Sequence, residues 1–240
     1  MSQNADHTTL GSPVLRSGEI AAVSPKFAEG YARIREVCDT DGACEARFKA
    51  LYMACASAVK GHADMTRHEL SRSRDLGLVV SDARGAALTV LISRGEGVYS
   101  TLAAAIDEVF DETIGEPVGE VPDFAVDEQA ARDYFASVFE TVPGYVELMA
   151  DEASRALEGY VLMRQWSLAE NTLAAEHSEL LLCTINAAEF SSRFINVHAN
   201  GARRAGCSEA QIVEAVLCAV PVAGLATWLT GADGIMEGRT

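Results

Sequence analysis

The chain has no Cys-x-x-Cys pair and no dense cysteine framework: its six cysteines, Cys38, Cys44, Cys55, Cys183, Cys207 and Cys218, are dispersed through 240 residues. That dispersion excludes a disulfide scaffold and suits reduced, mostly buried thiols and a cytoplasmic location. Basic residues are scarce, 19 Lys and Arg against 35 Asp and Glu, for a net charge of −16. Such a chain has little with which to neutralise phosphates, so no nucleic-acid partner is expected, and the same sign argues against anionic membrane surfaces. Met1 to Thr9 show neither the basic start nor the apolar centre of a signal peptide. The longest apolar stretch, Ile212 to Leu229, is interrupted by Glu214, Pro221 and Gly224; it reads as two buried helix segments, not as a membrane span. No segment alternates with period two long enough to make a strand.

What the chain does have is a helical phrase written twice. One copy runs from Phe48 through Lys60-Gly-His62-Ala-Asp64-Met-Thr-Arg67-His68 to Gly77 and Ser81-Asp82-Ala83. The other runs from Glu179 through Cys183, Glu189, Arg193 and Asn196-Val-His198 to Gly206 and Ser208-Glu209-Ala210. Upstream, Pro25 is echoed by Pro143, and downstream Asp107 by Asp233. The offsets are 118 at the prolines, 130 at the histidines and 126 at the aspartates, which places about a dozen inserted residues within the second copy. With 49% hydrophobic residues, the chain can fill one generous core or two compact units.

The periodicity predicts an all-α protein. A polar segment (1–23) precedes the first copy (24–110), an acidic linker with two prolines and two glycines follows (111–126), and the second copy occupies 127–240. Phe27, Tyr31, Ile34 and Cys38 fall at helical spacing after Pro25, and Phe48 to Val59 reads as a central core helix. A helix over Ala63 to Leu76 stops near Gly77, and the next, Asp82 to Arg94, is capped by Ser81.

The histidines carry the candidate chemistry. Asp64 lies one turn before His68, on the same face, where a carboxylate could orient the imidazole and raise its basicity; the bland alternative is a satisfied polar pair at a helix surface. His198 shares its face with Ser191, Phe194 and Ile195, and Glu179, Glu189 and Arg193 are candidates to contact it; a core histidine with one hydrogen bond is the alternative there. His62 and His68 are poorly spaced for one metal ion, and no other ligand set is spaced for one. Gly95-Glu-Gly97 lacks the rest of a dinucleotide fingerprint, and no strained elbow precedes Ser191-Ser192.

A long alanine-rich helix, a break, a second helix with a central histidine, a glycine eight or nine residues on and then Ser-(Asp/Glu)-Ala: this order resembles the carboxymuconolactone decarboxylase and AhpD-like superfamily, over nearly the whole chain. The resemblance implies an AhpD-like helical fold duplicated in tandem and intertwined within one chain. In the peroxidase branch a Cys-x-x-Cys pair lies seven and four residues before the histidine, with a glutamate on the preceding helix. Here those positions hold Ser191 and Phe194 before His198, with Glu179 at the glutamate position; before His68 they hold Gly61 and Asp64, with Lys49. Without the dithiol, an AhpD-like peroxidase activity is disfavoured.

The first copy's Gly61-His62-Ala-Asp64-Met-Thr-Arg67-His68 is similar to the decarboxylase branch. This implies a cofactor-free lyase acting on a small lactone or keto acid, with a non-catalytic scaffold or binding module as a further alternative. On that reading His68 and His198 transfer protons, Asp64 and Glu179 support them, and Arg67, Arg193 and His62 bind substrate; no metal is called for. Single-copy members resemble subunits of hexameric rings, so a tandem chain implies a homotrimer with six quasi-equivalent positions.

Overall fold

The computed structural model describes residues 10–113, 124–139 and 141–237. Among the described residues every regular element is a helix, and no helix is long and apolar enough to cross a membrane. Most of the linker expected over 111–126 lies outside the described residues. Compactness divides the chain into residues 1–113 with 172–240 as one unit and residues 114–171 as another. The stretch from 127 to 240 therefore contributes to both units.

In the larger unit the chain forms α1 (Pro13–Arg16), α2 (Glu19–Val23), α3 (Pro25–Asp39), α4 (Ala46–Val59), α5 (Ala63–Asp75), α6 (Val80–Arg94) and α7 (Glu96–Phe110). The smaller unit holds α8 (Glu128–Phe139), α9 (Gly144–Glu152) and α10 (Ser154–Gln165), followed by a π-helical turn, Trp166–Glu170. The larger unit is completed by α11 (Ala175–Ala188), α12 (Ser192–Arg204), α13 (Glu209–Leu217), α14 (Val220–Ala223) and α15 (Ala226–Glu237).

At the heart of the larger unit, α4 and α11 pack against each other. Both are apolar on nearly every side, and a helix without a polar face has to be buried all round; Leu51, Met53, Cys55, Leu180, Cys183 and Ile185 are fully enclosed. Around this pair the partnerships match: α4 packs on α5 as α11 packs on α12, and α5 packs on α7 as α12 packs on α15.

Helix bounds recur at one constant shift. Helix α4 spans 46–59 and α11 175–188; α5 spans 63–75 and α12 192–204; α6 starts at 80 and α13 at 209, a shift of 129 each time. The turns obey the same register. Gly77 and Gly206 have φ of 93° and 96°, Gly95 and Gly224 of 80° and 89°, and Gly61 at 76° is matched by Phe190 at 58°. Helix α10 starts at 154, again 129 after α3. The extra residues thus precede the second set of helices instead of interrupting it, and Pro143, which opens α9, is not the partner of Pro25.

The shift also corrects the pairing of the histidines. At 129, His198 is in register with Glu69 and His68 with Val197, because the two histidines are 130 apart. One residue on a helix is a rotation of about 100°, so His68 and His198 point from different faces.

Two further expectations change. Helix α6 begins at Val80 behind Val79, which offers no side-chain cap, so Ser81 lies inside the helix and not at its cap. Ser208, by contrast, caps α13 in a reciprocal capping box with Gln211. The apolar stretch 212–229 is broken into parts of three helices, and Leu225 and Leu229 at its end are exposed.

In the smaller unit, Phe135, Val146, Leu157 and Val161 form a core with Ala131 and Ala150. Phe135 stacks on Phe139 and tilts against Tyr160, with ring centroids 6.3 and 5.0 Å away. Helices α9 and α10 are separated at Ala153, whose φ of −154° lies outside the helical region.

Candidate functional site

Glu179 on α11 and His198 on α12 form a dyad. Nδ1 of His198 lies 2.8 Å from Glu179 Oε2, and the side chains are only 15% and 10% exposed. An ionised carboxylate can only accept, so Nδ1 carries the proton in this pair. Nε2, on the other side of the ring, has no hydrogen-bond partner among the described residues. Gly201, one turn after His198, makes room for the carboxylate: a Cβ there would lie 2.4 Å from the Glu179 carboxyl group. Of the other residues expected near His198, Glu189 pairs with Arg94. Arg193 is exposed, with its guanidinium 5.9 Å from the Phe194 ring centroid. Phe194 is itself half exposed, so the immediate partner of His198 is a carboxylate and not the apolar face expected from spacing.

The residues expected to form the first site are not brought together. Asp64 is 99% exposed and pairs with Arg67 instead of holding His68. Three residues apart on one exposed helix face, the two charges meet each other in water. Arg67 is thus engaged at the surface, with Glu108 at 4.0 Å, and His62 is exposed just before α5. Nε2 of His68 lies 2.6 Å from the Gly11 carbonyl, which can only accept, so this histidine donates and its Nε2 is occupied.

The interior beside His68 holds a charge cluster. Arg35 on α3 reaches Asp39 at 2.8 Å and Glu69 on α5 at 3.0 Å, and Arg72 pairs with Glu69 and, at 3.1 Å, with Asp39. The Gly11 amide donates to Asp39 at 2.9 Å. Burial works against the Arg35 charge, but Glu69 and Asp39 hold the guanidinium above its ordinary value. Two cations and two anions therefore neutralise one another where α11 and α12 place the dyad.

Lys49, at the position the resemblance gives to a glutamate, is buried in a bridge to α13. Its Nζ donates to the Val37 carbonyl at 2.7 Å and to Glu214 at 2.9 Å. Burial pushes the Glu214 carboxyl up, but the amides of Cys44 and Ala43 and the Lys49 ammonium hold it below the usual range. In the helix register the counterpart of Glu179 is Ala50.

One histidine that spacing did not single out, His177 on α11, lies against α4. It stacks on Phe48 with centroids 3.6 Å apart, and Nδ1 is 2.7 Å from the hydroxyl of buried Tyr52. Its sequence neighbours, Glu176 and Ser178, form no motif. All six cysteines are free and buried. Burial pushes the thiols of Cys44 and Cys55 up to about 12 and that of Cys207 up to about 11, and raises Cys183 and Cys218 well above the ordinary thiol value. Among the described residues, no group of three His, Cys, Asp or Glu side chains could hold a metal ion. No protein-family model matches the chain, and no curated protein matches it.

Proposed function

We propose that the chain is a cofactor-free lyase of the carboxymuconolactone decarboxylase type, acting on a small carboxylated lactone or β-keto acid through Glu179 and His198. The observation that carries this reading is the buried Glu179–His198 pair, which orients the imidazole through Nδ1 and leaves Nε2 available for proton exchange. The choice of superfamily rests on the resemblance, and the constant shift of helix bounds supports its tandem duplication. In such a substrate the bond to the carboxylate breaks, carbon dioxide leaves, and the electron pair enters the conjugated carbonyl to give an enolate. Protonated His198 delivers its Nε2 proton to carbon and regains one from water, while Glu179 stays ionised and steadies the imidazolium. Arg193, on the same helix, is assigned to the substrate carboxylate.

A thiol peroxidase is disfavoured, since a thiol at about 11 leaves on the order of one thiolate in ten thousand at neutral pH. The first copy fits the scaffold alternative, because the Gly11 carbonyl occupies the nitrogen of His68 that a substrate would need. One working site per chain follows.

The test is carbon dioxide release from a panel of γ-carboxylated butenolides and 3-oxo acids. His198→Ala and Glu179→Gln should each lower turnover by about 100-fold or more, with His68→Ala within about twofold of the unaltered protein. Failure of the unaltered protein to turn over any member of the panel removes the lyase assignment. Unchanged turnover in both histidine variants removes the mechanism.

A further inference from the structure

The apolar stripe Phe27, Tyr31, Ile34 and Cys38 on α3 reads from spacing alone as a core face. Only part of it is used that way: Cys38 is fully buried, whereas Phe27 is 66% exposed. The N-terminal half of the stripe instead walls a groove of about 720 Å³, with Val220, Gly224 and Leu225 on the opposite side and Ser24 and Lys26 also lining it. This volume is within the range of small-molecule sites, about 300–1,000 Å³. From residue 24 to residue 34 the helix rises about 15 Å, the reach of a medium-length acyl chain.

Gly30 sits in the middle of this wall. Glycine is the poorest helix former after proline, and at Gly201 crowding accounts for it. Gly30, like Gly97 and Gly159 in other helices, has a φ outside the left-handed region, and a Cβ built there meets nothing within 4 Å. It shares a face with Phe27, Tyr31 and Ile34, so what its missing side chain leaves open is the groove itself. Among the described residues, the one charged side chain lining the groove is Lys26, which has no ion-pair partner there. Glu19 lines an adjoining recess on Ser24 and Phe27, and its carboxylate disfavours an anion on that side.

We infer that the groove between α3 and the Val220–Leu225 segment binds a small ligand with an apolar body and an anionic head, such as a medium-chain carboxylate, the body lying over Gly30 and the head at Lys26. This site is separate from Glu179 and His198 and does not depend on their assignment.

The experiment is titration calorimetry of the full chain with decanoate and, as the uncharged probe, decanol. Both should bind saturably at one site, decanoate about threefold or more the tighter. Lys26→Gln should erase that preference and leave decanol unaffected. Gly30→Leu should weaken both probes about tenfold or more without lowering the thermal midpoint, because leucine is the better helix former and the added atoms enter open space. Leu225→Ser, at a surface position, is the second variant should Gly30→Leu fail to fold, and should weaken both probes as well. Absence of saturable binding, or affinities indifferent to both Gly30→Leu and Leu225→Ser, overturns the site, and a decanoate preference that survives Lys26→Gln overturns the placement of the head. Self-association in light scattering that Gly30→Leu abolishes, with no decanoate bound, assigns the face to a second copy of the chain and also overturns the proposal.

Discussion

The α4–α5 and α11–α12 helix pairs have equal lengths and matched turns, yet their interiors do different work. Between α3 and α5, Arg35, Asp39, Glu69 and Arg72 pair their charges, and the Gly11 backbone closes the cluster by donating to Asp39 and accepting from His68. Between α11 and α12 only Glu179 and His198 meet, and Nε2 has no hydrogen-bond partner among the described residues. In register, Glu69 corresponds to His198 and Arg72 to Gly201. A four-member neutral cluster is a structural device; a carboxylate–imidazole pair with one free nitrogen can move a proton. Similar helix pairs therefore support either, according to residues on both helices, Ala50 against Glu179 and Glu69 against His198, and to Arg35 and Asp39 on α3.

That contrast is broken most severely by unpairing the first interior. Arg35→Leu leaves two buried carboxylates to Arg72 alone and is expected to lower stability by about 3–5 kcal/mol, read as a drop in the urea midpoint; a loss below 1 kcal/mol would mean that the cluster does not hold this half together. Next is Gly201→Ala, which forces Glu179 aside. It should cost about 1–3 kcal/mol, reduce turnover, and abolish the downfield proton resonance of His198 Nδ1–H in NMR spectra. An intact resonance would show that Gly201 does not position the dyad.

His68→Ala tests the opposite side of the contrast. It removes a single hydrogen bond and should cost about 1 kcal/mol and speed amide exchange near Gly11, without affecting turnover. A marked loss of turnover would bring His68 into the proposed chemistry.

Acid should loosen the contacts of α4 with α11 and α13. Burial pushes His177 below its ordinary value, and Glu176 and Glu45 only partly oppose it. The unfolded chain then takes up this proton at higher pH than the folded chain, so the stability His177 contributes is present above about pH 6.5 and is lost as the pH falls through that region. Glu214, held low by its amides and Lys49, acts in the same sense in the carboxylate range. Urea midpoints between about pH 7.5 and 5 should fall, and His177→Phe should flatten the slope near pH 6.5. The smallest effect is expected at Phe190, where a bulky residue holds the left-handed conformation that Gly61 supplies between α4 and α5. Phe190→Gly should gain about 0.5–1 kcal/mol in the urea midpoint, and a loss would point to the contact between its ring and the Lys60 ammonium at 5.9 Å.

Much of the fold was legible because helix-forming composition and turn chemistry act locally. Ala-rich segments without a polar face announced α4, and Gly77 and Gly206 marked real left-handed turns. The register of the two helix sets was legible too, in one detail: Gly77 follows His68 by nine residues and Gly206 follows His198 by eight, so the histidines could not both occupy the same helical position. Glu179 was one of three candidates to contact His198, with Glu189 and Arg193, and only packing decided among them, since residues on successive helices meet through packing. Asp64 and His68 illustrate the limit of spacing, because sharing a helix face did not decide between His68 and Arg67 as partner. His177 carried no motif at all.

Sequence by itself determined the helical class, the absence of a dithiol before either histidine, and the turn positions, since each depends on residues within a few positions of one another. Only the tertiary structure decided which histidine is available. The Gly11 carbonyl reaches His68 from 57 residues away, and Glu214 reaches Lys49 from 165. Helical rotation of about 100° per residue turned a one-residue difference in register into two unlike environments.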